Sequence, residues 1–405
     1  MGNFFKDAPK SDLHVHLDGS LRLDTLIDLA KSGKIKLPST TVDGLNELLF
    51  KDNYKDLGEY LTCFGYTVPV MQTRDNLERV AYEFALDNLA ENVFYVEVRF
   101  APQLHMNDEM DLEAVLVSVN NGLARAQSEF NNSAAVKNGQ KPRFIYGIIA
   151  CAMRSFGKFS NYYAKFLDAH PFSSKTRVAP LASYELAQGV IHIRDKLAIP
   201  IVGFDLAGQE DGFPAKNHWK AYQFVHENFM HKTVHAGEAY GAESIFQAIT
   251  ELHADRIGHG YYLFDKNRII APEILDKDKY INALTKYIAE NRITIEVCLT
   301  SNMQTNPSIG KLENHQFAQM RQARLCTTFC TDNRAVSKTT VTNEIEKAVK
   351  AFKIGPAEYH YLFFDGFEHS FYPGSYIQKL EYVDSVKNYY QKVAAKYLQS
   401  PVENR

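Results

Sequence analysis

His14 and His16 stand two residues apart in the run Asp12-Leu13-His14-Val15-His16-Leu17-Asp18-Gly19. In an extended strand, residues i and i+2 point to the same side. Two imidazoles on one side can hold one metal ion, although an isolated His-x-His pair serves equally well as a hydrogen-bonded core element. This pair has company. His235 is followed by Ala236-Gly237-Glu238, His259 lies in Arg256-Ile257-Gly258-His259-Gly260, and Asp332 lies in Cys330-Thr331-Asp332-Asn333. Each closes a short apolar run. Three imidazoles and a carboxylate suit a borderline ion such as zinc.

The elements that must position these residues alternate along the chain. Eight strand candidates are legible: Asp12–His16, Val93–Ala101, Arg143–Cys151, Ile199–Asp205, Lys232–Ala236, Arg256–Gly258, Ile293–Cys298 and Leu325–Thr331. Several are rich in Val, Ile, Phe and Tyr with little alternation, as strands buried on both faces should be. Helical patterns lie between them, such as the stripe of Leu77, Val80, Ala81, Phe84 and Leu89. Strand and helix repeated eight times predicts a closed parallel (β/α)8 barrel of TIM type. The competing open, doubly wound sheet would ordinarily carry a Gly-rich phosphate loop, and no G-x-G-x-x-G or G-x-x-x-x-G-K-[ST] is present. Every candidate above falls at a strand end, where such barrels build their active sites.

The expected organisation is one domain over residues 1–405. Residues 22–75 form a helical insertion or lid after the first strand, and 341–405 form C-terminal helices. Residues 129–142 read as a polar surface loop and 263–285 as a charged, lysine-rich insertion. Glu97 and Arg99 could form a buried ion pair within the second strand. His105, His170, His192, His226 and His253 read as ordinary surface or core residues.

Composition excludes several function classes. The formal charge is −3, so the chain offers no general attraction to nucleic acid or to an anionic membrane. Five scattered cysteines without a C-x-x-C pair suggest a reducing, cytoplasmic setting. No secretory h-region or membrane-length apolar run is evident, and Lys6 stands where a myristoylation motif requires Ser or Thr.

Taken in order, the motifs resemble those of the adenosine deaminase family over nearly the whole chain. The matching segments are Leu13-His14-Val15-His16-Leu17-Asp18-Gly19-Ser20, Tyr95-Val96-Glu97-Val98-Arg99, Asp205-Leu206-Ala207-Gly208, His235-Ala236-Gly237-Glu238, Arg256-Ile257-Gly258-His259-Gly260, Glu296-Val297-Cys298-Leu299-Thr300-Ser301-Asn302 and Thr331-Asp332-Asn333. The resemblance implies one zinc per chain on His14, His16, His235 and Asp332. It implies that Glu238 protonates purine N1 and that His259 orients and deprotonates the attacking water. Gly208 then donates to N3, Asp18 accepts from the ribose 5′-hydroxyl, and Leu61 and Phe64 form an apolar pocket wall. Much of the family has two consecutive aspartates where this chain has Asp332-Asn333. Purine N7 only accepts hydrogen bonds, and an asparagine amide can donate to it.

The implied activity is hydrolytic deamination of adenosine, and of 2′-deoxyadenosine, in purine salvage. Rivals within the same chemistry act on N6-methyl-AMP, aminofutalosine or adenine. Asp18 weighs against a 5′-phosphate, because it would repel a second anion. Relatives acting on free adenine tend to carry Glu there. A binuclear hydrolase on the same barrel would carry a bridging residue on strand four, which instead ends Phe204-Asp205-Leu206-Ala207-Gly208. A non-catalytic binding protein would be free to lose a ligand or Glu238, and all are present.

Overall fold

Eight strands run in parallel and pair in sequence order: β1 (Lys10–His16), β2 (Val93–Phe100), β3 (Ile145–Met153), β4 (Ile201–Ala207), β5 (His231–Ala236), β6 (Arg256–His259), β7 (Thr294–Val297) and β8 (Thr327–Phe329). This is a computed structural model, and it describes residues 2–398. The barrel closes between its last strand and its first. Val15 bridges Asp332 in parallel register. The Asp332 N–H donates to the His14 carbonyl at 2.8 Å, and the His16 N–H donates to the Asp332 carbonyl at 2.7 Å. The closing seam therefore sets Asp332 beside both histidines of β1. With helices around the strands, this is the (β/α)8 barrel that the strand count predicts.

Strand β2 is buried along its whole length, and its alternation divides two environments. Val96, Val98 and Phe100 join the large apolar core. Glu97 and Arg99 reach the barrel interior instead, where they meet charged partners on other strands. Arg99 donates to Asp205 on β4 at 3.1 Å and to Glu296 on β7 at 2.9 Å. Arg256 on β6 donates to the other oxygen of Glu296 at 2.7 Å and also pairs with Glu97. Glu97 and Arg99 are thus not partners of each other. Two residues apart on one strand, each reaches across the barrel.

The C-terminal helices close the end of the barrel opposite the histidines. Phe367, Tyr382, Val383 and Val386 pack with Leu13, Tyr95 and Ile145. Phe371 lies against the Arg256 guanidinium, 3.5 Å from its ring centre, and its N–H donates to Glu97 at 2.5 Å. After β1, residues 22–75 fold into short helices, among them Leu57–Leu61 and Phe64–Thr67.

Two polar stretches differ from their sequence reading. The helix Leu112–Asn131 enters the segment 129–142, and Ala134–Lys137 forms a further helical turn. Asn131 ties this segment to the backbone N–H and carbonyl of Phe144, at 2.7 and 2.9 Å. Within 263–285, residues from Lys277 onward belong to the helix Lys277–Glu290 between β6 and β7. Lys279 and Lys286 are exposed, while Ile281, Leu284 and Ile288 are buried. A basic outer face conceals an ordinary barrel helix.

Candidate active site

His14, His16, His235 and Asp332 offer ligand atoms that all lie within 4.8 Å of one another. Their convergence follows from the topology. Strand β1 supplies the first two, β5 the third, and the closing seam the aspartate. Two further carboxylates orient the rings. Glu296 holds His14 Nδ1 at 2.8 Å, and Asp205 holds His235 Nδ1 at 3.0 Å. An ionised carboxylate only accepts, so each Nδ1 carries the proton and each Nε2 presents a lone pair. Burial would raise the Glu296 carboxyl, but Arg99 and Arg256 hold it well below its usual range.

These lone pairs are arranged as cation ligands. His14 Nε2 is buried without a hydrogen-bond partner. Asp332 Oδ1 lies 3.4 Å from it and 3.5 Å from His16 Nε2. His16 Nε2 and His235 Nε2 are 3.1 Å apart. Nitrogens bound tetrahedrally to one zinc would be about 3.3 Å apart, given bonds of about 2.0–2.1 Å. Burial pushes His16 and His235 below the usual histidine range, which favours the neutral, ligating form. Asp332 adopts the left-handed φ of 58°, an uncommon conformation for a non-glycine residue that turns its carboxylate toward the rings.

Glu238 and His259 face each other beside this cluster, with Oε1 and Nε2 3.6 Å apart. Burial pushes the Glu238 carboxyl well above its usual range, and the negative charges of Asp332 and Glu210 push the same way. The loop carrying Glu238 is folded around Glu210. That carboxylate accepts from the backbone N–H groups of Gly237, Glu238, Ala239 and Tyr240 at 2.6–3.0 Å, and from the Ser244 hydroxyl at 2.5 Å. Arg154 braces the same region by donating to the His235 carbonyl at 2.5 Å and the Phe213 carbonyl at 2.6 Å.

A cavity of about 620 Å³ opens beside His16. Asp18, Leu61, Phe64 and Gly208 line it, together with Met153 and Phe156. Asp18 Oδ1 is buried and unpartnered, and burial raises its carboxyl to about 7. Gly208 has a φ of +92°, strained for any residue with a side chain. A second cavity of about 570 Å³ is bordered by Glu238, Leu57, Tyr240 and Arg268. Gln209 borders both. Asn333 lines neither; its amide nitrogen donates to the Tyr60 hydroxyl at 2.8 Å. Tyr60 in turn meets Ser337 at 2.7 Å, which ties the Leu57–Leu61 helix to the turn after β8.

Sequence reading assigned no role to several supporting residues. Asp205 and Glu296 lie inside matched motifs, but only folding shows that they orient histidines. Arg99 carried only an ion-pair reading, with the wrong partner. Glu210 stands two residues past Gly208, with no local pattern to mark it. Arg154 gave no signal of its own. His105, by contrast, is buried at a distance from the cluster and bonds the Met71 carbonyl at 3.0 Å.

Comparison with known proteins matches nearly the whole chain to one family. The family described as Adenosine deaminase matches residues 9–389. An adenosine deaminase of Mycobacterium leprae is 34% identical over 390 residues, covering 94% of each chain. One from Vibrio atlanticus is 34% identical over 357 residues, covering 88% of this chain and 91% of its own. Among solved structures, an amidohydrolase from Burkholderia ambifaria with bound zinc superposes with a TM-score of 0.76 at 19% identity, covering 98% of this chain and 94% of its own. The N6-mAMP deaminase of Arabidopsis superposes with a TM-score of 0.71 at 23% identity, covering 95% of this chain and 99% of its own. At these identities the two structures bear on the fold alone.

Proposed function

The chain belongs to the adenosine deaminase family, and from that premise we propose how its own residues carry out the reaction. It is a hydrolase that converts adenosine and water to inosine and ammonia. In our reading zinc is the resident ion, one per chain, held by His14, His16, His235 and Asp332. The observation that carries this is the convergence of three imidazoles and one carboxylate, their ligand atoms within 4.8 Å of one another, with His14 Nε2 buried and without a partner. A divalent metal bound there supplies a water acidic enough to attack at neutral pH.

The remaining chemistry falls to the protein. Glu238 is kept protonated by burial and donates to purine N1, which makes C6 more electrophilic. His259 faces the same space and orients the attacking oxygen. The cavity beside His16 receives the nucleoside, with Leu61 and Phe64 against its apolar parts. Gly208 approaches N3 through its backbone, and Asp18 takes the 5′-hydroxyl. Asn333 has a second amide N–H beyond the one given to Tyr60, and we assign it to N7. Residues 22–75 act as a lid over this cavity.

A nucleoside suits the cavity better than a nucleotide. Among its described lining residues there is no Arg or Lys, and Asp18 is the acidic one. A 5′-phosphate would meet a carboxylate and no cation. 2′-Deoxyadenosine should be accepted, since no part of this reading uses the 2′-hydroxyl. The test is a spectrophotometric comparison of adenosine, 2′-deoxyadenosine, AMP and adenine. The two nucleosides should turn over with kcat/KM at least about 10²-fold above the others, as expected for a buried unpaired charge. A preference for AMP or adenine would overturn the assignment.

A further inference from the structure

The His259 ring is held on its far side by a chain of three hydrogen bonds that begins at a backbone amide. The Phe317 N–H donates to His315 Nδ1 at 3.0 Å. His315 Nε2 meets Asn302 Oδ1 at 3.2 Å, and Asn302 Nδ2 meets His259 Nδ1 at 3.2 Å. His315, Asn302 and His259 are all fully or nearly fully buried. A backbone N–H can only donate, so His315 Nδ1 must accept. Burial pushes His315 down to about 3, so its ring is neutral. A neutral ring accepting at Nδ1 carries its proton at Nε2. That proton points to Asn302, whose facing atom must be its oxygen. The Asn302 amide nitrogen then donates to His259 Nδ1.

We propose that Asn302 and His315 are positioning residues that fix the tautomer of His259, placing its proton on Nε2, the nitrogen turned toward the reacting atoms. His259 Nε2 is buried and has no protein partner, so this N–H awaits an acceptor. A ring that accepts at Nδ1 is neutral, with one acceptor and one donor, and the relay has already used the acceptor. A base acting through Nε2 would need a lone pair there. The geometry instead makes His259 a hydrogen-bond donor to the oxygen that becomes attached to C6. Such a donor stabilises negative charge as it develops on that oxygen.

This inference rests on the reading that His259 faces the attacking oxygen, and two measurements separate the two claims. In protein labelled with ¹⁵N-histidine and loaded with zinc, long-range ¹H–¹⁵N correlation spectra report the tautomer of each ring. The His259 signals are identified by their loss in His259→Asn. The expected pattern is a protonated Nε2 and an unprotonated Nδ1. A proton on Nδ1 would overturn the inference whatever the activity. The second measurement uses Asn302→Asp, whose carboxylate can only accept and so should move the proton to Nδ1. With that shift, kcat should fall about 10²-fold while KM changes less than about threefold, the cost of losing one oriented donor. A shifted tautomer with unchanged kcat would overturn the placement of His259 at the reacting oxygen. His315→Gln can still donate to Asn302, so it should retain the native tautomer; a shifted proton there would contradict the relay.

Discussion

The floor and the mouth of this barrel bury the same kinds of side chain and differ in whether those side chains have partners. At the floor, Arg99, Arg256, Glu97, Glu296 and Asp205 form a network in which Arg99 Nε alone lacks a partner. Each carboxylate meets a guanidinium, and Thr233, Tyr95 and the Phe371 amide supply further donors. At the mouth, His14 Nε2, His259 Nε2 and Asp18 Oδ1 are equally buried and have no partner. An unsatisfied buried polar group costs about 1–3 kcal/mol. Such groups gathered at one end of the barrel are the ones a ligand would complete. The floor also serves the mouth. Glu296 and Asp205 each hold an arginine and orient a histidine, so the network that ties strands together also sets ligand geometry.

Breaking the mouth should cost activity outright while leaving the floor intact. His235→Ala removes one converging ligand. Bound zinc, measured by elemental analysis, should fall well below one per chain, and adenosine turnover should fall by at least about 10⁴-fold, since the attacking water is no longer acidified. Unfolding stability measured without metal should change by less than about 2 kcal/mol. Retained zinc would remove His235 from the ligand set.

Breaking the floor should do the reverse. Arg99→Met leaves Glu296 and Asp205 buried with a missing partner, and loss of one member of a buried pair costs about 3–5 kcal/mol. Denaturant unfolding should show that loss, with kcat in the surviving folded fraction reduced less than for His235→Ala. A neutral effect on stability would mean that the floor is not a scaffold.

Glu210 tests the boundary between the two regions, being fully satisfied yet next to the chemistry. Glu210→Gln cannot accept all the contacts that shape the Gly237–Tyr240 turn. A displaced Glu238 should lower kcat by about tenfold to a hundredfold, with KM little changed. The pH profile sharpens the point. Glu238 is active in its protonated form, so kcat/KM should decline as pH rises through its elevated pKa and be retained below it. A flat alkaline limb would contradict a carboxylic acid in that role.

The smallest effect should come from Tyr60→Phe. Losing the hydroxyl frees the Asn333 amide to reorient, so KM for adenosine should rise a few-fold, the equivalent of about 1 kcal/mol. Inhibition by 7-deazaadenosine, which lacks the N7 acceptor, should not move. Equal shifts for both would place Asn333 away from N7.

Much of this contrast was legible in the sequence, unevenly. His14, His16, His235 and Asp332 could be read because strand runs buried on both faces end in polar residues, and each end is a local pattern. The strands themselves were found within a few residues of their observed limits. What could not be read is pairing across the barrel. Arg99 meets Glu296, 197 positions away, and Asp205, 106 positions away. Nothing beside Arg99 in the chain favours them over Glu97. Glu210 was invisible for a related reason, since its partners are backbone amides, which leave no trace in residue identity. The helix Lys277–Glu290 was obscured because charge on its outer face outweighed three buried apolar positions.

The most direct test of the account is the turnover of Glu238→Gln after loading with zinc. The amide keeps the shape of the side chain but has no acidic proton to give. One zinc per chain should be retained while kcat for adenosine falls by at least about 10³-fold, the range expected for loss of an oriented proton donor. Near-normal turnover by that variant would contradict a site in which a buried carboxylic acid and the adjacent metal cluster act together on the purine.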